Sequence, residues 1–375
     1  MPAKSPLRIP FSFRRKIPSV RRSFSVTRCS SAEEVRIVEV GPRDGLQNEK
    51  ATIPLRTKLE LIDRLALTGL QTMEAGSFVP SKWVPQMAGT SDIMKHLISK
   101  PPLAPHSIAY NFLVPNVKGL DNMIAIQNAA TPETPSRRSS TSSAESQTSD
   151  TSTTTSESET DPFNPMEISL FAAATDAFSK ANTNCTIAES IERCKPIIAL
   201  AQSKGIRVRG YVSVAFGCPY EGPDVSPSVV ADITATLLEL GADEVSLGDT
   251  TGMGTAKKTR ELLKTLTAAG ILPEDIALHF HDTYGQALVN AAVGLEHGVR
   301  IFDSSVGGLG GCPYSKGATG NIATEDLVYF FHSLGIKTGV NLEKMAEVGD
   351  WITRELGKEN QARAGKAILA RMHQQ

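Results

Sequence analysis

The chain has 375 residues, room for one large or two medium domains, with hydrophobic and charged contents of 40% and 21% that are ordinary for a globular protein. No apolar run approaches the roughly 20 residues a membrane-spanning helix needs, which argues against a membrane protein. The net charge of -1 hides an asymmetry: eight of the 39 basic residues and none of the 40 acidic ones fall before Glu33, so the remainder carries about -9, which argues against nucleic acid as a partner.

Residues 1–32 hold Lys4, Arg8, Arg14, Arg15, Lys16, Arg21, Arg22 and Arg28 among several serines. An acid-free, Arg- and Ser-rich start is the composition of a disordered mitochondrial transit peptide, and it predicts a matrix location. A basic tail that binds an acidic partner is the alternative. From residue 33 onward strand-like and helix-like runs alternate. The predicted strands are Val35–Val40, Thr72–Phe78, Ser107–Leu113, Met166–Ala173, Ile206–Val214, Asp243–Gly248, Ile276–His281 and Arg300–Val306. Helical runs such as Arg56–Thr68, Ile187–Ser203 and Pro227–Leu240 lie between them.

Between about 130 and 162 the chain turns Ser/Thr/Glu-rich and nearly free of apolar residues. Such a stretch cannot bury enough surface to offset its ordering entropy, so it reads as a disordered insertion. A helical run before it and a strand after it place it inside one domain, on the rim opposite the strand ends. Eight strands alternating with helices predict an α/β fold, a (β/α)8 TIM barrel over 33–375, with extra C-terminal helices from Asn341 to Gln375. An open doubly wound sheet is the alternative, but Gly41-Pro42-Arg43-Asp44-Gly45 lacks the glycine spacing it wants. The five cysteines show no paired spacing and so no disulfide framework.

Barrel active sites sit where strands end and helices begin, which puts several polar residues on one rim. His279 and His281 close the seventh strand and share a face, two imidazoles side by side and half of a metal site. Asp44 after strand one and Asn321 after the glycine-rich loop supply further candidate ligands. Imidazole, carboxylate and amide donors suit Mg²⁺ or Mn²⁺, with Zn²⁺ as an alternative and a non-haem iron triad as a formal likeness. Arg43 is aimed at a developing oxyanion, and Glu74, a carboxylate in a buried strand, needs Arg43 as its partner. Asp249 follows strand six on the same rim. The run Gly307-Gly308-Leu309-Gly310-Gly311-Cys312-Pro313-Tyr314 lacks the ending of a phosphate-binding loop and reads as a mobile lid that delivers Cys312.

Four stretches carry a resemblance. They are Gly41-Pro42-Arg43-Asp44-Gly45-Leu46-Gln47-Asn48-Glu49-Lys50, Lys82-Trp83-Val84-Pro85-Gln86-Met87, His279-Phe280-His281-Asp282-Thr283-Tyr284-Gly285-Gln286, and the Cys312 loop through Asn321. Together they resemble the 3-hydroxy-3-methylglutaryl-CoA lyase family, over about Val35 to Asn341. The resemblance implies metal-dependent cleavage of 3-hydroxy-3-methylglutaryl-CoA to acetoacetate and acetyl-CoA. It implies Asp44, His279, His281 and Asn321 as metal ligands, and Cys312, Asp44 and His279 as the proton-moving groups. Arg43 and Glu74 would lie at the substrate, with Lys50 and Asn341 near its coenzyme A moiety. A homodimer is one assembly left open. The loop Ser77-Phe78-Val79-Pro80-Ser81-Lys82-Trp83 departs from the family's usual Ser-Phe-Val-Ser-Pro-Lys-Trp, and Gly307 stands where Ala is usual. A related 3-hydroxy-3-alkylglutaryl-CoA lyase, or a Claisen-type synthase on the same barrel, is the alternative activity.

Overall fold

The structure, a computed structural model, describes residues 33–130, 165–311 and 320–374. The expected transit peptide, the expected insertion and Cys312 lie outside the described residues. Eight strands are present: β1 (Arg36–Glu39), β2 (Thr72–Ser77), β3 (Ala109–Leu113), β4 (Met166–Ala173), β5 (Val208–Ser213), β6 (Glu244–Asp249), β7 (Ile276–Phe280) and β8 (Ile301–Ser304). They pair in parallel in sequence order, and β1 closes the barrel on β8. The expected strands are all found, with several ends shortened, because pairing stops before the apolar run does.

The helices are α1 (Leu55–Ala66), α2 (Thr90–Ser99), α3 (Val117–Ala130), α4 (Asp176–Thr183), α5 (Ile187–Ser203), α6 (Pro227–Leu240), α7 (Ala256–Ala268), α8 (Ala287–Glu296), α9 (Thr324–Ser333), α10 (Leu342–Glu355) and α11 (Arg363–Met372). Local chemistry sets their ends. Thr186 and Glu189 form a reciprocal capping box at the start of α5. Pro227 opens α6, and Gly241, at φ +109°, ends it in a left-handed turn. The last two helices are the C-terminal addition that the sequence predicted.

Strands buried on both faces read as near-continuous buried runs, as β2 and β7 do. The large apolar layer lies between sheet and helices, where Leu278, Phe280 and Phe302 meet Phe216 and Phe331. The barrel interior is different. It holds a small apolar cluster of Val38, Val40, Ala277 and Ile301, and otherwise a layer of polar side chains bonded to one another. Ala130 and Pro165, the described residues on either side of the expected insertion, sit where a helix ends and just before a strand begins, on the rim away from the strand ends. Among the described residues no helix is long and apolar enough to cross a membrane.

Candidate metal centre at the barrel mouth

The chain leaves β1 through a five-residue turn, Gly41–Gly45, in which the N–H groups of Arg43, Asp44 and Gly45 all point at the Val40 carbonyl. Widened turns of this kind recur at functional sites. Here the turn puts two successive side chains, Arg43 and Asp44, over the barrel axis. A Cβ on Gly41 would stand 2.5 Å from the Glu39 carboxylate oxygen that accepts the Gly41 N–H, so a side chain there would have to displace that carboxylate.

β7 delivers the imidazoles. His279 ends the paired strand beside Asp303 of β8, and His281 makes a single bridge to Asn321. Ligand atoms of Asp44, His279 and His281 all lie within 4.8 Å of one another. His279 Nε2 is 3.9 Å from Asp44 Oδ2, while its Nδ1–H donates to Asp303 at 3.2 Å. That second bond orients the ring and turns Nε2 towards Asp44, and, against its burial, the two carboxylates raise the His279 pKa. Asn321 donates from Nδ2 to Asp44 at 2.8 Å and to the Leu309 carbonyl at 3.2 Å.

The electrostatics suit a cation. Burial works against the Asp44 charge, but Arg43, both imidazoles and the Asn321 bond outweigh it and hold its pKa down at about 2. Burial and the neighbouring His279 push His281 down to about 4, so its imidazole is neutral, as a ligand must be. His281 Nδ1 and Asn321 Oδ1 are buried and make no well-formed hydrogen bond beyond a loose contact between the two side chains. Poorly paired buried groups are costly, and a divalent ion among them would satisfy that need. The residues present therefore fit the metal expected from sequence.

Arg43 and Glu74 meet as expected, although Arg43 sits on the turn and not on a strand. Its Nε and Nη2 donate to Glu74 Oε2 at 2.7 and 2.6 Å, and Nη1 donates to Asp44 at 2.8 Å. Ser169 and Tyr211 also donate to Glu74, at 2.7 and 3.3 Å. The guanidinium is thereby anchored, and Arg43 lines a mouth cavity of about 630 Å3 together with Asp44, His279, His281 and Gly311.

Three candidates lie elsewhere. Asn341 is on the opposite rim, where it caps α10 by accepting the Lys344 N–H at 2.9 Å and donates its own N–H to the Thr68 carbonyl at 2.6 Å. The structure therefore does not bring it to the mouth; capping explains the residue without a ligand. Asp249, the last residue of β6, accepts the Gly254 N–H at 3.0 Å and stands outside the ligand trio. Lys50 is exposed on the loop after the Arg43 turn and does not line the cavity.

The glycine-rich loop has a packing reason that the sequence reading missed. Gly307, Gly308 and Gly310 take φ of +64°, +66° and +121°. A Cβ on Gly310 would stand 2.7 Å from Asn321 Nδ2, and one on Gly320 2.7 Å from the Gly308 carbonyl. Close approach of the two loop ends around Asn321 thus accounts for Gly310 and Gly320, while Gly307 and Gly308 pack against Thr353 and Gln361.

Sequence reasoning also passed over Asp303, Glu39 and Glu325. Asp303 takes bonds from His279, Ser246 and Arg209. Glu39 accepts N–H groups of Gly41 and Val306 at 2.8 and 2.9 Å and the Thr324 hydroxyl at 2.6 Å. Glu325 accepts the Gly307 N–H at 3.0 Å. The signal that singled out Glu74, an acid inside a buried run, was present at Asp303 and Glu39 as well.

The HMGL-like family profile matches residues 34–352. The chain belongs to the HMGL-like family. Among its relatives in that family is the 3-hydroxy-3-isohexenylglutaryl-CoA/hydroxy-methylglutaryl-CoA lyase of Pseudomonas aeruginosa, 44% identical over 90% of this chain and 98% of that one. The mitochondrial hydroxymethylglutaryl-CoA lyase of Mus musculus is 44% identical over 89% of this chain and 90% of its own. The crystal structure of the Pseudomonas aeruginosa hydroxymethylglutaryl-CoA lyase superposes with a TM-score of 0.76, covering 91% of this chain and 99% of that one at 43% identity. Such HMGL-like relatives agree with the barrel read from the sequence.

Proposed function

We propose that the chain is a divalent-metal-dependent lyase that cleaves 3-hydroxy-3-methylglutaryl-CoA to acetoacetate and acetyl-CoA. The observation that carries this reading is the convergence of Asp44, His279 and His281 at the mouth of the barrel, beside the anchored Arg43. Asp44, His279, His281 and Asn321 would hold the ion, Mg²⁺ or Mn²⁺. Once bound, it supplies a Lewis acid for the C3 hydroxyl and a substrate carboxylate.

The chain's own groups do the rest. Asp44 or His279 takes the hydroxyl proton. The C2–C3 bonding pair then passes into the thioester as an enolate while C3 becomes the ketone of acetoacetate. Arg43, held by Glu74, keeps its charge because burial is outweighed by Glu74 and Asp44, and it faces the enolate oxygen. Cys312, which follows the cavity-lining Gly311, supplies or relays the proton to the enolate carbon.

A longer 3-alkyl substituent is a second reading. It is supported by the apolar cavity wall of Leu113, Phe171 and Val212, and by the name of the Pseudomonas aeruginosa relative. A mitochondrial matrix location rests on the acid-free start of the chain and on the name of the mouse relative. Residues 33–375 would then be the mature catalytic domain, with 1–32 as the leader.

The test is release of acetyl-CoA from 3-hydroxy-3-methylglutaryl-CoA by EDTA-stripped protein, with and without added Mg²⁺. Cleavage that returns only with the metal is expected. A folded, metal-loaded protein that leaves this thioester intact would contradict the reading.

A further inference from the structure

Trp83 is 80% exposed, although it lies at the lip of the mouth cavity. An indole is a large apolar surface, and exposed apolar surface beside a ligand cavity marks a contact waiting for its partner. The exposure does not come from a slack loop. The Trp83 and Val84 N–H groups close a turn on the Pro80 carbonyl at 2.9 and 3.2 Å. Beneath them Lys58, only 2% exposed, donates its ammonium to the Gln86 and Ala88 carbonyls at 2.5 and 2.8 Å. Gln86 in turn donates to the Glu49 carbonyl at 2.5 Å, tying the loop to the segment that follows the Arg43 turn. A buried ammonium spent on two loop carbonyls is a device for holding a surface in place.

We infer that Trp83 is the wall against which the pantetheine arm of the thioester substrate lies. The inference rests on the acyl-CoA reading above. The reacting thioester belongs near Arg43 and Asp44, so the uncharged arm is the part of the substrate that crosses the lip. Val79, Pro80, Val84 and Pro115 line the same cavity as Trp83 and add apolar surface to it. Lys82, next to Trp83 in the chain, is exposed as well.

Steady-state rates of the full chain and of Trp83→Ala test this on three thioesters of the same acyl group. One is the coenzyme A ester, one the pantetheine ester, and one the N-acetylcysteamine ester, which lacks the pantoyl part and the nucleotide. Removing the indole should raise KM on the order of tenfold for the first two, leave kcat unchanged, and leave kcat/KM unchanged for the third. Trp83→Phe should recover most of the loss.

An equal loss on all three esters would mean that Trp83 shapes the loop or meets another part of the chain, and would overturn the inference. A loss confined to the coenzyme A ester would transfer the contact to the nucleotide, and no loss would remove it. Failure of the acyl-CoA reading looks different, because wild-type protein would then cleave none of the three. A second readout is fluorescence. The chain has two tryptophans, and Trp351 is already covered by the Arg64 guanidinium at 4.3 Å. Coenzyme A should change the emission of the wild type and not that of Trp83→Phe; a change that survives the substitution contradicts the contact.

Discussion

Asp303 on β8 holds His279 on β7 by its Nδ1–H at 3.2 Å, so the imidazole presents Nε2 to Asp44. The carboxylate is itself gripped by Arg209 and by Ser246, whose hydroxyl donates at 2.8 Å. Asp303 does not line the mouth cavity; it orients a candidate ligand. Asp303→Asn should lower metal affinity about 10- to 100-fold, the usual effect of losing such a partner. A Mn²⁺ titration of the folded variant measures this, and an unchanged affinity would show that His279 is oriented by packing alone.

Arg43 and Glu74 form a buried pair whose members fail separately. Arg43→Met leaves the Glu74 carboxylate with only the Ser169 and Tyr211 hydroxyls, and should cost about 3–5 kcal/mol of stability. Adding Glu74→Gln removes the stranded charge and should restore most of that loss. Turnover should stay low in both, because the cation facing the enolate is gone. Urea unfolding beside the rate assay separates the two effects; a double variant no more stable than Arg43→Met would contradict the pairing.

Burial raises the Glu325 pKa from its ordinary 4.5 to about 8, against the N–H groups it accepts. The folded chain then binds this proton more tightly than the unfolded chain does. Its contribution to stability is complete below about pH 4.5 and is lost as pH rises towards 8. Glu325→Gln should therefore gain on the wild type as pH rises across that window, by about 1.4 kcal/mol for each unit. Thermal unfolding at pH 5, 6.5 and 8 measures it, and parallel curves would contradict the buried, protonated carboxyl.

Cys312→Ser should leave KM close to that of the wild type and lower kcat by orders of magnitude, since a hydroxyl is a far weaker acid than a thiol. Single-turnover rates check this; a near-normal kcat would remove Cys312 from the proton path.

The fold was legible because every strand carries its own signal. β7 is an apolar run that carries His279 and runs straight into His281, and β4 alternates Glu167 and Ser169 with apolar residues before a run of Leu170 to Ala173. The convergence of Asp44, His279 and His281 was legible for the same reason, since alternation along β7 and the end of β1 put them on one rim. What pairs across the barrel was not. Asp303 reaches His279 through a register between β7 and β8 that no local pattern encodes. The turn that carries Arg43 and Asp44 reads in sequence as an ordinary Pro-Arg-Asp-Gly turn, and its widened form depends on Glu39 receiving the Gly41 N–H. Asn341 failed for the opposite reason. Its residue type matched an expectation, but the direction of α9 carries the chain to the far rim before α10 begins.

The most direct test of the ligand set joins binding to turnover in one variant. Wild-type protein should bind one Mn²⁺ per chain and cleave the thioester in proportion to its occupancy. His281→Ala takes away a neutral, buried imidazole whose neighbours in the site are Asp44, His279 and Asn321. It should lose tight Mn²⁺ binding and turnover together while keeping its fold. A His281→Ala protein that still binds one Mn²⁺ tightly and turns over at the wild-type rate would show that the cation sits elsewhere.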